Sequence, residues 1–147
     1  ALAISTGQGR VQNTLADSGP LIALFDRDDK HHRRVRDYLK AKSLRLVTTW
    51  PVVTEVCAVL PRRCALDFLE FVERGGVTVE DLSAADLTRI LDLLKKYADL
   101  PADFADISLV VLAERTGRDA VLSLDSDFAV YRLPGRRPFK NPLGQRR

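Results

Sequence analysis

Acidic residues recur at the ends of the apolar runs in this chain, and this pattern constrains its fold most. Runs of strand length alternate with runs of helix length, and several of them begin or end at a carboxylate. Buried carboxylates repel one another and are costly unless a cation neutralises them. A hard divalent cation held by oxygen ligands meets that cost. The sequence therefore predicts a metal site built from Asp17, Glu55, Asp103, Asp106 and Asp125.

The apolar periodicity predicts an α/β domain with a mainly parallel sheet covered on both faces. Ligands of such sheets bind beyond the carboxyl ends of the strands. After residue 125 we expect a loop or short helix to 132, then irregular chain with one edge strand at 138–140. The other predicted elements are strands at 11–16, 44–48, 77–79 and 120–124 and helices at 21–25, 32–41, 50–60, 66–73, 84–97 and 103–116.

Four of the acids are expected to meet at one edge of this sheet. Asp17 and Asp125 come directly after predicted strands. Glu55 and Asp106 lie early in predicted helices that can pack over the same edge. The fold would thus bring together carboxylates that are far apart in the sequence.

Several of these acids also have a simpler structural explanation. Asp17, Asp103 and Asp127 are suitably placed to cap a turn or helix, which stabilises a helix by about 1 kcal/mol. Glu55 could form a salt bridge with an arginine that follows it. The arginines concerned are Arg62 and Arg63.

Three hydroxyl residues and one further acid are expected to support the site. Ser18, Thr54 and Ser123 each lie within two residues of a predicted ligand. Their hydroxyls could orient carboxylates or a bound water. Asp127, two residues after Asp125, is grouped with them. The histidines at 31 and 32 lie in a basic stretch and are not expected to bind the metal.

The charge distribution favours a polyanionic substrate. The net charge is +3, but residues 46–131 carry 8 Lys/Arg against 15 Asp/Glu, whereas 27–45 carry 8 Lys/Arg against 3 Asp. Residues 132–147 carry 6 Lys/Arg and no acid. A polyanion that reacts at a metal and is held by cations along its length suits this arrangement. A solvated helix face and a disordered tail would give the same composition.

Length and composition predict one globular domain. We expect a flexible lead-in at 1–10, the domain at 11–140 and a basic tail at 141–147. Cys57 and Cys64 lack CxxC spacing and are expected to be reduced thiols in a cytoplasmic protein. No apolar run reaches the roughly 20 residues of a membrane span, so no membrane association is expected.

The motifs together resemble those of the PIN-domain ribonucleases, and within them the VapC toxins of prokaryotic toxin–antitoxin pairs. The resemblance covers residues 11–140 and depends on the order and spacing of several short pieces. The family often has Thr where this chain has Ser123. The pieces are LADSGPLIAL at 15–24, TEV at 54–56, DFAD at 103–106, LAER at 112–115 and LSLDSDF at 122–128.

The resemblance implies a three-layer α/β/α sandwich, dependence on Mg²⁺ or Mn²⁺, and cleavage of RNA. It also implies a homodimer and inhibition by a cognate antitoxin protein. By position, Asp17, Glu55, Asp106 and Asp125 match the catalytic acids, and Asp103 is a further metal ligand.

Two other functions remain open. One is a PIN-like module that binds RNA or protein without cleaving it. The other is a metal-dependent phosphohydrolase on a Rossmann-like sheet. Such phosphatases commonly carry DxD after the first strand, and here the triplet from residue 17 is Asp-Ser-Gly, without the second Asp.

Overall fold

A parallel four-stranded sheet forms the centre of the molecule in the computed structural model, which describes residues 11–144. The strand order is β3-β2-β1-β4. Leu15 pairs with both Val47 and Val121, so the central strands are in register. All four strands therefore end at the same edge. They are β1 (Gln12–Ala16), β2 (Leu44–Thr49), β3 (Val77–Glu80) and β4 (Val121–Leu122).

Six α-helices flank this sheet within the described residues, which confirms the predicted α/β/α architecture. No helix between residues 11 and 144 is long and apolar enough to cross a membrane. The helices are α1 (Ser18–Phe25), α2 (His32–Ala41), α3 (Trp50–Val59), α4 (Arg62–Glu73), α5 (Asp86–Lys96) and α6 (Phe104–Thr116).

Helix α6 is the most deeply buried of these helices, and every residue from Ala105 to Ala113 is buried. A helix that is apolar on all sides belongs inside a protein, and α6 packs against α3, α5 and β2. It ends at Gly117, which adopts a left-handed conformation (φ 72°) that glycine tolerates. This burial carries Asp106 into the interior.

Several boundaries differ from the predicted ones. Helix α1 begins at Ser18 rather than 21, because Asp17 caps it and Pro20 fits its first turn. Helix α4 begins at Arg62 rather than 66, directly after Pro61. Helix α5 begins at Asp86 rather than 84, and its carboxylate accepts from Ser83 N.

The predicted strand at 120–124 is too long. Regular pairing ends at Leu122, because the Ser123 amide donates to the side chain of Asn141 instead of a neighbouring strand. Ala120 forms only an isolated parallel bridge, and its partner is Lys140.

The C-terminal segment also differs from expectation. The predicted edge strand at 138–140 is replaced by the antiparallel pair β5 (Arg132–Leu133) and β6 (Arg137–Pro138) and by the bridge at Lys140. Leu143, which follows the predicted domain end at 140, is buried in the core. The lead-in at 1–10 and the last residues of the tail, 145–147, lie outside the described residues.

Candidate active site

Asp17 follows β1 directly and is buried, with 3% of its surface exposed. Its Oδ1 accepts from Ser18 N (2.8 Å) and so caps α1, and its Oδ2 accepts from Ser123 Oγ (2.8 Å). Its pKa is raised to about 6, mainly by burial; the hydrogen bonds from Ser123 and Ser18 oppose this shift, and the charges of Asp125 and Asp103 add to it. Asp17 therefore caps a helix, as the simpler explanation predicted, and its carboxylate also lies beside the other acids.

Asp106 is the most strongly perturbed carboxylate of the cluster with a pKa raised to about 8. Burial in α6 is the main cause, and the charges of Asp17, Asp103, Asp125 and Glu55 add to it in that order. A carboxyl group in this position holds its proton at neutral pH unless a cation stabilises the ionised form.

Asp103 is both a helix cap and a member of the cluster. Its Oδ1 accepts from Asp106 N (2.9 Å), which makes it the N-cap of α6. Its charge also raises the pKa of Asp17, Glu55 and Asp106, so its carboxylate lies close to all three.

Glu55 projects from α3 toward Asp103 and Ser18. Burial raises its pKa, a hydrogen bond with the Ser18 hydroxyl lowers it, and contact with Asp103 raises it again. In residues 11–144 no arginine pairs with Glu55. The salt bridge to Arg62 or Arg63 that the sequence left open is therefore not formed.

Asp125 and Asp127 follow β4 on a short 3₁₀ turn (Ser126–Ala129). Asp125 is exposed and its Oδ1 accepts from Asp127 N (2.9 Å), so Asp125 caps this turn instead of Asp127. Asp127 is buried, and its Oδ2 has no hydrogen-bond partner in the described part of the chain. Burial and the Asp125 charge raise the pKa of Asp127.

Five of these acids, all except Asp127, line one open cavity of about 490 Å³. Its lining includes all five predicted ligands, together with Ser18 and Gly19, and apolar atoms of Ile22 and Val59. Oxygen atoms of Asp106, Asp125 and Asp127 also lie within 4.8 Å of one another. The described lining contains no cationic side chain. The cavity lies beyond the carboxyl ends of β1 and β4, as expected for a ligand site of a parallel sheet.

The donor set fits a hard divalent cation. All the clustered ligands are carboxylate oxygens, which Mg²⁺ and Mn²⁺ prefer. The raised pKa values of Asp17 and Asp106 show that negative charge is undercompensated there. The unpartnered buried Oδ2 of Asp127 indicates the same deficit.

Two of the three predicted hydroxyls reach the carboxylates. Ser123 Oγ donates to Asp17 and accepts from Asp125 N (3.0 Å), so it links both strand-end acids. Ser18 contacts Glu55. Thr54 differs from the expectation, because its Oγ1 donates to Trp50 O (3.1 Å) in its own helix and does not reach the acids.

Comparison with known proteins agrees with this geometry. The family model described as "PIN domain" matches residues 14–133 of the chain. The chain belongs to the PIN-domain family. The matched span contains all five predicted ligands, so the family resemblance seen in the motifs is confirmed.

Proteins similar to this PIN domain include several named VapC. Ribonuclease VapC26 of Mycobacterium tuberculosis is 27% identical over 115 residues, covering 76% of this chain and 85% of that protein. The crystal structure of M. tuberculosis VapC20, described as a Sarcin-Ricin loop cleaving toxin, gives a TM-score of 0.73 at 17% identity, over 80% of this chain and 93% of that one. VapBC2 of Rickettsia felis, bound to a promoter DNA fragment, gives 0.58 at 13% identity, over 88% and 98%.

Two residues of this PIN domain's site were not predicted. The fully buried Tyr131 donates from its hydroxyl to Asp106 Oδ2 at 3.5 Å, and burial raises its pKa, so it stays protonated. Asn141 accepts from Ser123 N and donates to Ser123 O, which fixes the end of β4. No motif in the sequence marks Tyr131 or Asn141, although both contact the LSLDSDF piece: Tyr131 N donates to Asp127 O, and Asn141 accepts from Ser123 N.

Proposed function

We propose that this chain is a Mg²⁺- or Mn²⁺-dependent endoribonuclease toxin of a VapC-type toxin–antitoxin pair. The convergence of five acids on one cavity, two of them buried and with pKa values raised to about 6 and about 8, carries the proposal. The relative VapC26 is named a ribonuclease, and VapC20 is described as a Sarcin-Ricin loop cleaving toxin, which supports a nuclease activity here.

Asp17, Glu55, Asp106 and Asp125 would hold the cation, with Asp103 as a further ligand at the cavity rim. A bound cation would lower the pKa of a water to supply the attacking hydroxide and would neutralise charge on the phosphate. Ser123 keeps Asp17 oriented by donating to Oδ2, and Ser18 does so for Glu55.

Asp127 is proposed as an additional ligand beside Asp106 and Asp125. Its carboxylate lies within 4.8 Å of ligand atoms of Asp106 and Asp125, and its Oδ2 has no protein partner among the described residues. Asp106 would then be shared between Asp17 and Glu55 on one side and Asp125 and Asp127 on the other. With Asp127 as a ligand, the carboxylates would be numerous enough to bind a second cation.

A protein antitoxin is the proposed inhibitor. Val59, Leu66 and Leu69 are exposed on α3 and α4, and Val59 also lines the acidic cavity. An amphipathic partner helix on this apolar face could place an arginine or lysine among the carboxylates, in place of the metal charge. Solved structures similar to this chain include the VapBC2 complex and FitAcB of Neisseria gonorrhoeae (TM-score 0.50, 18% identity, over 77% of this chain and 88% of that one).

A homodimer is proposed through a second apolar face. Trp50, Leu87, Leu91 and Phe104 each expose about half of their surface, and all but Leu91 line a cavity of about 570 Å³ between α3 and α5. A second copy of the chain would cover these side chains and leave the acidic cavity open.

We place the toxin's action in the cytoplasm, where its RNA substrate is found. Cys57 and Cys64 are both free thiols, which suits a reducing compartment.

The proposal is tested by incubating the purified chain with structured RNAs, with and without Mn²⁺. Asp17→Asn should abolish cleavage and weaken Mn²⁺ binding in calorimetry, because a central ligand is lost. Asp67→Asn, which changes an exposed acid of α4, is the matched control and should behave as the parent chain.

Full Mn²⁺-dependent cleavage by folded Asp17→Asn would refute the mechanism. If the parent chain neither binds Mn²⁺ nor cleaves any RNA, a non-catalytic binding module becomes the better assignment. Hydrolysis of a small phosphate ester without RNA cleavage would favour a phosphohydrolase.

A further inference from the structure

Another concave surface lies where the loop after α1 meets the start of α2. In the sequence, this loop follows α1, whereas Asp17 precedes it. The surface encloses about 560 Å³, and most of its lining is cationic. We call it the basic pocket. Its basic residues are Arg27, Lys30, His32, Arg33 and Arg34.

The acids at the basic pocket are engaged elsewhere. Asp29 Oδ1 accepts from His31 N (2.8 Å), and Asp37 pairs with Arg36 (3.1 Å), which does not line the pocket. By contrast, the side chains of Arg27, Lys30 and Arg33 form no ion pair or hydrogen bond with other described residues. Several cations around one concavity repel each other unless an anion lies between them, so the pocket is suited to an anionic ligand.

Two lining side chains are fixed in place. His32 Nδ1 donates to the Ala23 carbonyl (2.7 Å), and Arg34 Nη2 donates to the Leu143 carbonyl (2.6 Å). Both bonds tie the start of α2 to other parts of the fold. They fix the backbone from which the exposed side chain of Arg33 projects.

The basic pocket is connected to the acidic cavity by a short chain of hydrogen bonds. Arg34 holds Leu143, whose amide donates to Asn141 Oδ1 (3.2 Å). The Asn141 amide group is paired with both backbone atoms of Ser123, and the Ser123 hydroxyl donates to Asp17. Arg34 and Asp17 are therefore linked through the same C-terminal segment.

We infer that the basic pocket binds the phosphate backbone of the RNA, an inference that rests on the proposed ribonuclease function. The acidic cavity carries no cation among its described lining residues and repels a phosphate, so attraction for the RNA must come from elsewhere on the surface. Lysine and arginine contacts to phosphates position a nucleic acid without reading its sequence. The pocket would thus contribute to the affinity for RNA and to the position of its backbone. Other parts of the protein would determine which bond is cleaved.

RNA binding without cleavage is the direct test. In an Asp17→Asn background, the triple variant Arg27→Gln/Lys30→Gln/Arg33→Gln should bind a fluorescent single-stranded RNA about tenfold or more weakly at low salt. Each lost phosphate contact should also lower the slope of log Kd against log salt by about 0.7, so by roughly 2 in all. All three residues are exposed, so folding should be preserved, which thermal unfolding can verify.

The matched control removes three exposed cations from other faces, Arg74→Gln/Lys95→Gln/Lys96→Gln, and should leave the salt slope nearly unchanged. In the active chain, the pocket variant should raise KM and keep kcat. Equal Kd values and equal salt slopes for the two triple variants would overturn the inference while leaving the ribonuclease proposal intact. Loss of antitoxin binding with unchanged RNA binding would also overturn it and would assign the pocket to a protein partner.

Discussion

At the level of single residues, Asp17 and Asp106 are the carboxyl groups whose ionisation is most strongly disfavoured by the site. Their folded-state pKa values are raised from 3.8 to about 6 and about 8. The folded state therefore keeps these protons at pH values where the unfolded chain has lost them. The stability that they contribute is fully present below about pH 4 and is lost as the pH rises through 6 and then 8.

Asp106→Asn should consequently stabilise the metal-free protein at alkaline pH. Between pH 5 and pH 9 the free energy of unfolding should fall for the parent chain, and it should fall by about 1–3 kcal/mol less for the variant, because the clustered acids titrate together. Urea unfolding in EDTA across this pH range measures the difference. Identical pH dependence of the two proteins would show that Asp106 does not hold its proton.

Ser123 can be tested by two substitutions that differ in one group. Ser123→Ala removes the hydroxyl that donates to Asp17 and accepts from Asp125 N, and should reduce Mn²⁺ affinity or cleavage by roughly 10–100-fold. Ser123→Thr keeps the hydroxyl and should retain most activity. Calorimetric Mn²⁺ titration of both variants provides the measurement, and equal loss in both would point to packing instead of the hydrogen bond.

At the level of elements, three turns or helices begin at acids of the cluster. Asp17 caps α1, Asp103 caps α6 and Asp125 caps the 3₁₀ turn. The capping bonds hold each carboxylate by one oxygen, and the positive end of each helix reduces the cost of placing negative charges together. Secondary structure thus positions the site as well as the sheet does.

Asp103 allows the capping role and the ligand role to be separated. Asp103→Asn should keep the cap of α6 and the thermal stability, since Asn caps as well as Asp, but should weaken Mn²⁺ binding. Asp103→Ala should weaken Mn²⁺ binding equally and also lower stability by about 1 kcal/mol. Unchanged Mn²⁺ affinity in Asp103→Asn would reduce Asp103 to a cap alone.

At the level of the whole molecule, the proposed dimer face and the proposed antitoxin face can be distinguished by mutation. Leu87→Lys places a charge on the proposed dimer face, so the variant should sediment as a monomer where the parent chain sediments as a dimer. Leu69→Lys alters the proposed antitoxin face and serves as the control for oligomeric state. A dimer that persists in Leu87→Lys would move the interface to another surface.

The strand-end acids could be predicted from the sequence because their positions follow from local patterns. Asp17 and Asp125 each end an apolar run, and a parallel sheet brings such ends together. The partners of these acids could not be predicted, because they depend on packing between distant segments. Ser123 meets Asp17 across 106 residues and Tyr131 meets Asp106 across 25. Thr54 misled the prediction because its own helix backbone already accepts its proton.

The shared use of capping carboxylates has a genetic consequence. Aspartate codons become asparagine codons by a single base change, and asparagine caps a helix as well as aspartate does. At Asp17, Asp103 and Asp125 a point mutation can therefore remove charge from the cluster without removing the cap that organises the fold. For the proposed toxin, folded but inactive alleles would therefore lie within one nucleotide of the active gene.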